Sequence, residues 1–266
     1  AYPKQSLAVY KTSIHLSSPI LALHSAKAAS AVLALGLDRS LWLNPVKASA
    51  GHLSPFDIGV DPRLKNGGSV VVGEPFSPQL AMTQPDLAGD QLVAVMHSGQ
   101  YMCMAGSWDN ALKIVNTTTG AVELSIASGQ DVVTCVCVSE DDSLVVTGSQ
   151  DNSVVVYTLD YSSGAPRLVS KKTLFGHDGA VTCVAVNKKM GLMCSGSEDG
   201  TIIVYSLSST MYLRTIFDPD FDKKLSAMPA VSWCDVTNEG NIVWYSKTDF
   251  KFHMYSLLGE KQQEFE

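Results

Sequence analysis

Four groupings in this chain combine residue types and spacings that could do chemistry. His177 and Asp199, with a strand hydroxyl nearby, have the composition of an acyl-transfer triad, in which an imidazole oriented by a carboxylate takes a proton from a nucleophile. Asp218-Pro219-Asp220-Phe221-Asp222 offers carboxylates at alternate positions, as the start of a calcium loop does. Lys223, however, stands where such a loop needs Gly, and Pro229 where it needs a bidentate Glu, so a charged surface loop is expected. Cys135-x-Cys137 supplies two thiols, but a tetrahedral metal site needs two further thiol or imidazole ligands at suitable spacing, and none is near. The pairs Lys171-Lys172, Lys188-Lys189 and Lys223-Lys224 could meet anionic headgroups. They are separated and mixed with acids, whereas lipid-binding clusters hold about four to eight basic residues together, so solvated loops are expected. Nucleophile elbows of the GxSxG type, GxGxxG fingerprints and phosphate loops are missing from the sequence. These readings lead to no metal, no cofactor and no catalytic residue.

The elements that must position these residues are strands. Between Thr173 and Leu207, Ala180 to Val186 alternates with the two-residue period of a strand, Asn187 to Gly191 supplies turn residues, and Leu192 to Ser197 begins a second run. A tight turn follows at Glu198-Asp199-Gly200. Thr201 to Leu207 is rich in β-branched residues that suit a buried pleated strand, so the three runs make an antiparallel meander. A sheet with two apolar faces needs a neighbour on each side, which repetition around a ring provides.

The turn acid serves as a ruler for that repetition. GSWDN at 106–110, GSQDN at 148–152 and GSEDG at 196–200 superpose, with Asp109, Asp151 and Asp199 as the shared acid and Val115, Tyr157 and Tyr205 six residues later. The same spacing joins Asp249 to Tyr255 and, more weakly, Asp38 to Asn44. Successive acids lie 71, 42, 48 and 50 residues apart, in or near the range of about 40 to 45 residues for a propeller blade, with loop insertions. Thr134, Thr182 and Ser232 each stand seventeen residues before an acid, a second landmark in step with the first.

The Gly176-His177 pair, the GSxD turns and the aromatic six residues later resemble WD40 repeats, although Tyr157-Thr158, Tyr205-Ser206 and Tyr255-Ser256 replace the usual Trp-Asp. The stretch from Leu33 to Leu207, including FDIGVDPRL at 56–64, is more particularly similar to the C-terminal WD40 region of BEACH-domain proteins of the neurobeachin type. The resemblance implies an all-β, WD40-type β-propeller of four-stranded antiparallel blades, with about five full blades plus partial edge blades belonging to a seven-bladed ring. It also recasts the apparent triad. In WD40 repeats the GH histidine, the turn acid, a strand hydroxyl and the aromatic form a structural hydrogen-bonded tetrad, which here draws on His177, Asp199, Thr182, Ser195, Ser197 and Tyr205. Only this blade has the histidine, so the others should fasten their turns with fewer bonds.

Length and composition agree with one domain spanning 1–266, or the C-terminal portion of one, carrying a Gly- and Pro-rich insertion at about 51–91 with a short strand at Ser69 to Val72. Lys4 to Thr12 aligns with the third strand of a blade whose earlier strands are absent, and Leu258 to Glu266 is expected to begin an outer strand. With 17% charged residues and a net charge of -7, the chain lacks the basic footprint of a nucleic-acid binder. There is no apolar run of about eighteen residues and no signal-peptide pattern, so direct membrane insertion is not expected. All six cysteines fall in expected strands without a CxxC pair, which fits buried reduced thiols in a cytoplasmic setting and an unmodified sequon at Asn116.

The expected function is a non-enzymatic protein-protein interaction scaffold. The resemblance implies a large BEACH-type protein of membrane trafficking, peripheral to membranes, with an adjacent BEACH domain as one partner. A propeller enzyme and a purely structural support are the rival readings. The binding rim is expected at the residues before the turn acids, Leu37, Trp108, Gln150, Glu198 and Thr248, with Trp108 as its aromatic anchor.

Overall fold

The computed structural model describes residues 20–26, 31–36, 40–45, 69–71, 92–105, 110–117, 121–128, 131–218, 229–248 and 250–265. Within these, twenty strands form five four-stranded antiparallel sheets, each from four strands consecutive in sequence. The first sheet is β1 (Ile20–Ala26), β2 (Ala31–Gly36), β3 (Ser40–Pro45) and β4 (Ser69–Val71). The second is β5 (Val93–Val95), β6 (Tyr101–Met104), β7 (Ala111–Asn116) and β8 (Val122–Ala127). The third is β9 (Val133–Val138), β10 (Leu144–Ser149), β11 (Val154–Asp160) and β12 (Arg167–Leu174). The fourth is β13 (Val181–Asn187), β14 (Leu192–Ser197), β15 (Ile202–Ser206) and β16 (Met211–Ile216), and the fifth β17 (Val231–Val236), β18 (Ile242–Ser246), β19 (Lys251–Tyr255) and β20 (Lys261–Phe265).

Strand β4 is the short strand expected inside the long insertion, and it pairs with β3 as the outer strand of the first blade. Strand β20 pairs with β19 and completes the fifth blade. The segment at Lys4 to Thr12 lies outside the described residues. The first strands β1, β5, β9, β13 and β17 adjoin in that order, which sets the sheets side by side as blades of a propeller. The arrangement is an all-β, WD40-type propeller with four-stranded antiparallel blades.

The core lies between blades. The third sheet's Cys135, Val146 and Val156 pack against the fourth sheet's Val181, Met193 and Tyr205, and the fourth sheet's Cys183, Cys194 and Val204 pack against the fifth sheet's Val231, Trp244 and Tyr255. Central strands are buried on both faces, β14 along its whole length and β15 along all but its last residue, whereas the outer strand β12 is exposed along nearly its whole length.

Two hydroxyls tie adjacent blades. Thr134 on β9 donates to the carbonyl of Val181, and Thr182 on β13 donates to the carbonyl of Val231. Two of the three hydroxyls at the seventeen-residue landmark thus fasten one blade to the next, while the third, Ser232, accepts the Lys247 N–H at 3.2 Å within the fifth blade. All six cysteines are free. Burial pushes the Cys103 and Cys135 thiols far up and Cys137 up to about 11, so they behave as small apolar side chains.

Candidate functional site: the turn rim

His177 occupies the connection between the third and fourth blades and is buried. Its Nε2 lies 2.7 Å from the Ser195 hydroxyl, and its Nδ1 is 3.2 Å from the Thr201 hydroxyl and 3.4 Å from Asp199 Oδ2. Asp199 in turn accepts the Asp178 N–H at 2.8 Å, the Thr201 N–H at 2.8 Å and the Thr201 hydroxyl at 2.6 Å, while the Asp199 N–H donates to Ser197 Oγ at 3.1 Å. Burial alone would raise the pKa of Asp199, but hydrogen bonds from His177, Thr201 and Asp178 outweigh it and hold the carboxyl well below the usual range. Ser195, the hydroxyl on Nε2, is fully buried and closed to a substrate, and the carboxylate is bonded on both oxygens, so the cluster ties a turn to a blade.

Thr182 stands apart from this network, because its hydroxyl points across the blade interface to Val231 and to the Gly196 carbonyl at 3.1 Å. Thr201 takes a place in the network that counting seventeen residues back from the acid could not find. Tyr205 is buried beside it. Burial raises its pKa and Ser195 opposes the rise, yet the hydroxyl makes no hydrogen bond of good geometry.

The third blade solves the same problem without histidine. Ser128 accepts a 2.6 Å hydrogen bond from Tyr157, the counterpart of Tyr205, and lies 3.3 Å from the Thr147 hydroxyl. Lys171 Nζ donates to the carbonyls of Ala127 and Ser128 at 2.7 and 2.6 Å and sits 5.9 Å above the Tyr157 ring. Serine is shorter than histidine, and a cleft opens beside it, lined by Ser128, Asp151, Ser153, Lys171 and Phe175. Asp151 holds its turn through the Ser153 N–H at 3.0 Å and the Ser153 hydroxyl, just as Asp199 holds Thr201. A serine one residue from where the histidine is counted was the available signal, and a common residue type hid it.

At the rim, Gln150 and Glu198 are exposed, while their N–H groups donate at 2.9 Å to the carbonyls of Val132 and Ala180. The backbone is therefore held and the side chains are offered to solvent. The fifth blade departs by one residue. Ser149, Ser197 and Ser246 pair with Val133, Val181 and Val231 and so are equivalent. Thr248 donates its N–H to Ser246 Oγ at 3.1 Å, as Asp151 and Asp199 do to Ser149 and Ser197, so Thr248 fills the place of the turn acid. Lys247 takes the rim position of Gln150 and Glu198. Both Lys247 and Thr248 are exposed. The reason is a longer turn: four residues separate the paired Ser246 and Lys251. Leu37, Asp38, Trp108, Asp109 and Asp249 lie outside the described residues.

Asp218, His253 and Glu264 bring ligand atoms within 4.8 Å of one another. Lys261 Nζ lies 2.7 Å from Glu264 and 3.4 Å from Asp218, Lys251 Nζ lies 2.5 Å from Glu264, and His253 stacks on Trp244 at 4.1 Å. Two lysines already match the two carboxylates, so the grouping serves as an ion-pair network that fastens the fifth blade. The rest of the calcium-like segment, 219–228, lies outside the described residues. Lys188 pairs with Asp141 and Lys189 with Glu140 at 3.5 Å, linking the fourth blade to the third. Among the described residues no helix is long and apolar enough to cross a membrane.

Comparison with known proteins fits this geometry. Residues 169–266 match the neurobeachin β-propeller domain, and residues 123–158 match the WD domain, G-β repeat. Over 250 residues the chain is 28% identical to BEACH domain-containing protein B of Arabidopsis thaliana, which covers 85% of this chain and 9% of that protein. A 72-residue stretch is 38% identical to an uncharacterized WD repeat-containing protein of Schizosaccharomyces pombe, covering 27% of this chain and 18% of the relative. The chain therefore spans less than a fifth of the length of either relative. The likeness to WD40 repeats and to the neurobeachin propeller that the motifs carried is matched in sequence and in architecture.

Proposed function

We propose that this propeller is a non-enzymatic binding scaffold whose docking surface is the turn rim. The observation that carries the reading is the contrast at that rim. Main-chain groups of Gln150 and Glu198 are bonded to the residues just before the first strand of their own blade, the turn beneath Glu198 is locked by His177 and Asp199, and the side chains above are exposed. A backbone fixed before binding has less entropy to lose when a partner docks, which favours recognition of another protein. WD40 propellers generally bind other proteins.

Likeness to a BEACH domain-containing protein supports a place in a large BEACH-type protein of membrane trafficking, with a BEACH domain as neighbour in the same polypeptide and a cytoplasmic setting. The enzyme reading would need convergent carboxylates with perturbed acidity. Among the described residues Asp218 and Glu264 approach this, and the lysines hold Glu264 down at about 2, unsuited to general acid work near neutral pH.

Trp108 belongs to this proposal as the rim's aromatic anchor. Trp108→Ala should weaken a bound partner by about 2 kcal/mol or more with the fold intact. Affinity purification from cytosol with the protein and with a Gln150→Ala/Glu198→Ala/Lys247→Ala variant tests the rim. Loss of specific partners from the variant at unchanged melting temperature is expected. Identical partner sets would remove the rim from the reading.

A further inference from the structure

The cleft beside Ser128 borders the same groups that, in the fourth blade, receive His177. Register makes Ser153 the counterpart of Thr201 and Val155 the counterpart of Ile203, as Asp151 is of Asp199. In the fourth blade the imidazole enters between these groups, with Nδ1 3.2 Å from the Thr201 hydroxyl and 3.4 Å from Asp199 Oδ2. Asp199 meets that ring while it also holds the Thr201 N–H and hydroxyl. Asp151 holds the Ser153 N–H and hydroxyl in the same way, and both residues line the cleft. The third blade therefore keeps groups of the kind that receive an imidazole and leaves a space beside them, bordered by Ala127 and by Val155, which is smaller than Ile203. The cleft lies where the last strand of the second blade leads into the third, inside the run of blades.

Its electrostatics select the occupant. The Lys171 ammonium has three N–H donors and gives two to the carbonyls of Ala127 and Ser128, leaving one. Asp151 is the other charged residue that lines the cleft. A cationic side chain would meet the ammonium, and an anionic one the carboxylate. A neutral imidazole suits both, because one ring nitrogen accepts a hydrogen bond and the other donates one. An amide shares that property but has no ring. Phe175, 74% exposed at the cleft, offers an aromatic face on which a second flat ring packs.

We infer that this cleft receives a histidine side chain of a partner protein in its neutral form. One ring nitrogen accepts from Lys171, the other donates to the Asp151 and Ser153 pair, and the ring packs on Phe175. The inference rests on the reading of the turn rim as the docking surface and names a side chain that the partner carries. Protonation removes the acceptor nitrogen and adds a charge of the same sign as Lys171. Binding is therefore present above the ordinary histidine pKa of about 6.5 and lost as the pH falls below it.

The test is titration of the protein with N-acetyl-histidine methylamide at about pH 8, following the ring protons of the probe by NMR. Saturable binding is expected, about tenfold weaker one pH unit below the pKa of the ring. It should be about fivefold weaker in Lys171→Met and in Phe175→Ala, the loss of one hydrogen bond or one ring contact. Because Phe175 is exposed, its alanine variant keeps the test decisive should Lys171→Met lose the fold. No saturable binding, tighter binding at acid pH, an equal response from the asparagine or arginine probe, or unchanged affinity in Phe175→Ala would overturn the inference. Free histidine should bind more weakly than the capped probe; if it binds more tightly, the cleft is a small-molecule site and the partner assignment falls. If the probe fails while the Gln150→Ala/Glu198→Ala/Lys247→Ala variant still sheds its partners, this inference alone is lost. If the probe binds and that variant keeps every partner, the rim reading is lost and the cleft stands as the docking point.

Discussion

Val231, the first residue of the fifth blade, occupies the space that a side chain at Gly196 of the fourth blade would need. Val181 stands in the same relation to Gly148 of the third. The GSxD glycine, read in sequence as part of a turn, is thus a blade-packing residue at the end of strands β10 and β14. Val181 and Val231 are fully buried, so neither can swing aside into solvent.

Gly196→Ala should destabilise the protein by about 1–3 kcal/mol through overpacking against Val231. Thermal unfolding checks it. The double variant Gly196→Ala/Val231→Ala should recover part of the loss, since the two residues contend for one space, and strict additivity would refute the steric account.

His177→Ala leaves the Ser195 hydroxyl without its imidazole partner and should cost about 1–3 kcal/mol. Ser128→Ala, which removes the 2.6 Å partner of the buried Tyr157 hydroxyl, should fall in the same range. Equal melting temperatures for His177→Ala and wild type would mean that the network carries no stability.

Asp199 also predicts a pH dependence. Its folded pKa lies below the unfolded value, so it contributes stability that is fully present above the unfolded pKa near 4 and is lost as pH falls from there toward its depressed folded value. In Asp199→Asn the acid-induced fall in melting temperature below about pH 5 should be shallower than in wild type. Parallel curves for the two proteins would assign the acid sensitivity elsewhere.

Phe250 holds φ at +58°, in the left-handed region that Asn152 and Gly200 occupy after the equivalent turns. Asn and Gly tolerate that conformation; a bulky aromatic does so at a cost. Phe250 is 70% exposed, so little packing is lost on replacement. Phe250→Gly should raise stability by about 0.5–1 kcal/mol, measured by denaturant midpoint.

The strands, the turn acids Asp151 and Asp199, the five-blade repeat and the likeness to WD40 propellers were legible in the sequence. All of these rest on local rules: a two-residue alternation, turn residues at fixed offsets, and a period that survives loop insertions. Which hydroxyl meets His177 was not legible, because Thr182 and Thr201 are equally good donors in one dimension, and only the blade interface directs Thr182 to Val231. The one-residue slip that puts Thr248 in the place of an acid was hidden because Asp249 kept the count while the turn lengthened. Ser128 as the stand-in for histidine and Val231 in the space a side chain at Gly196 would need depend on strand register and on distances between sheets. Those distances follow from how blades pack, and no pattern along a single strand encodes them.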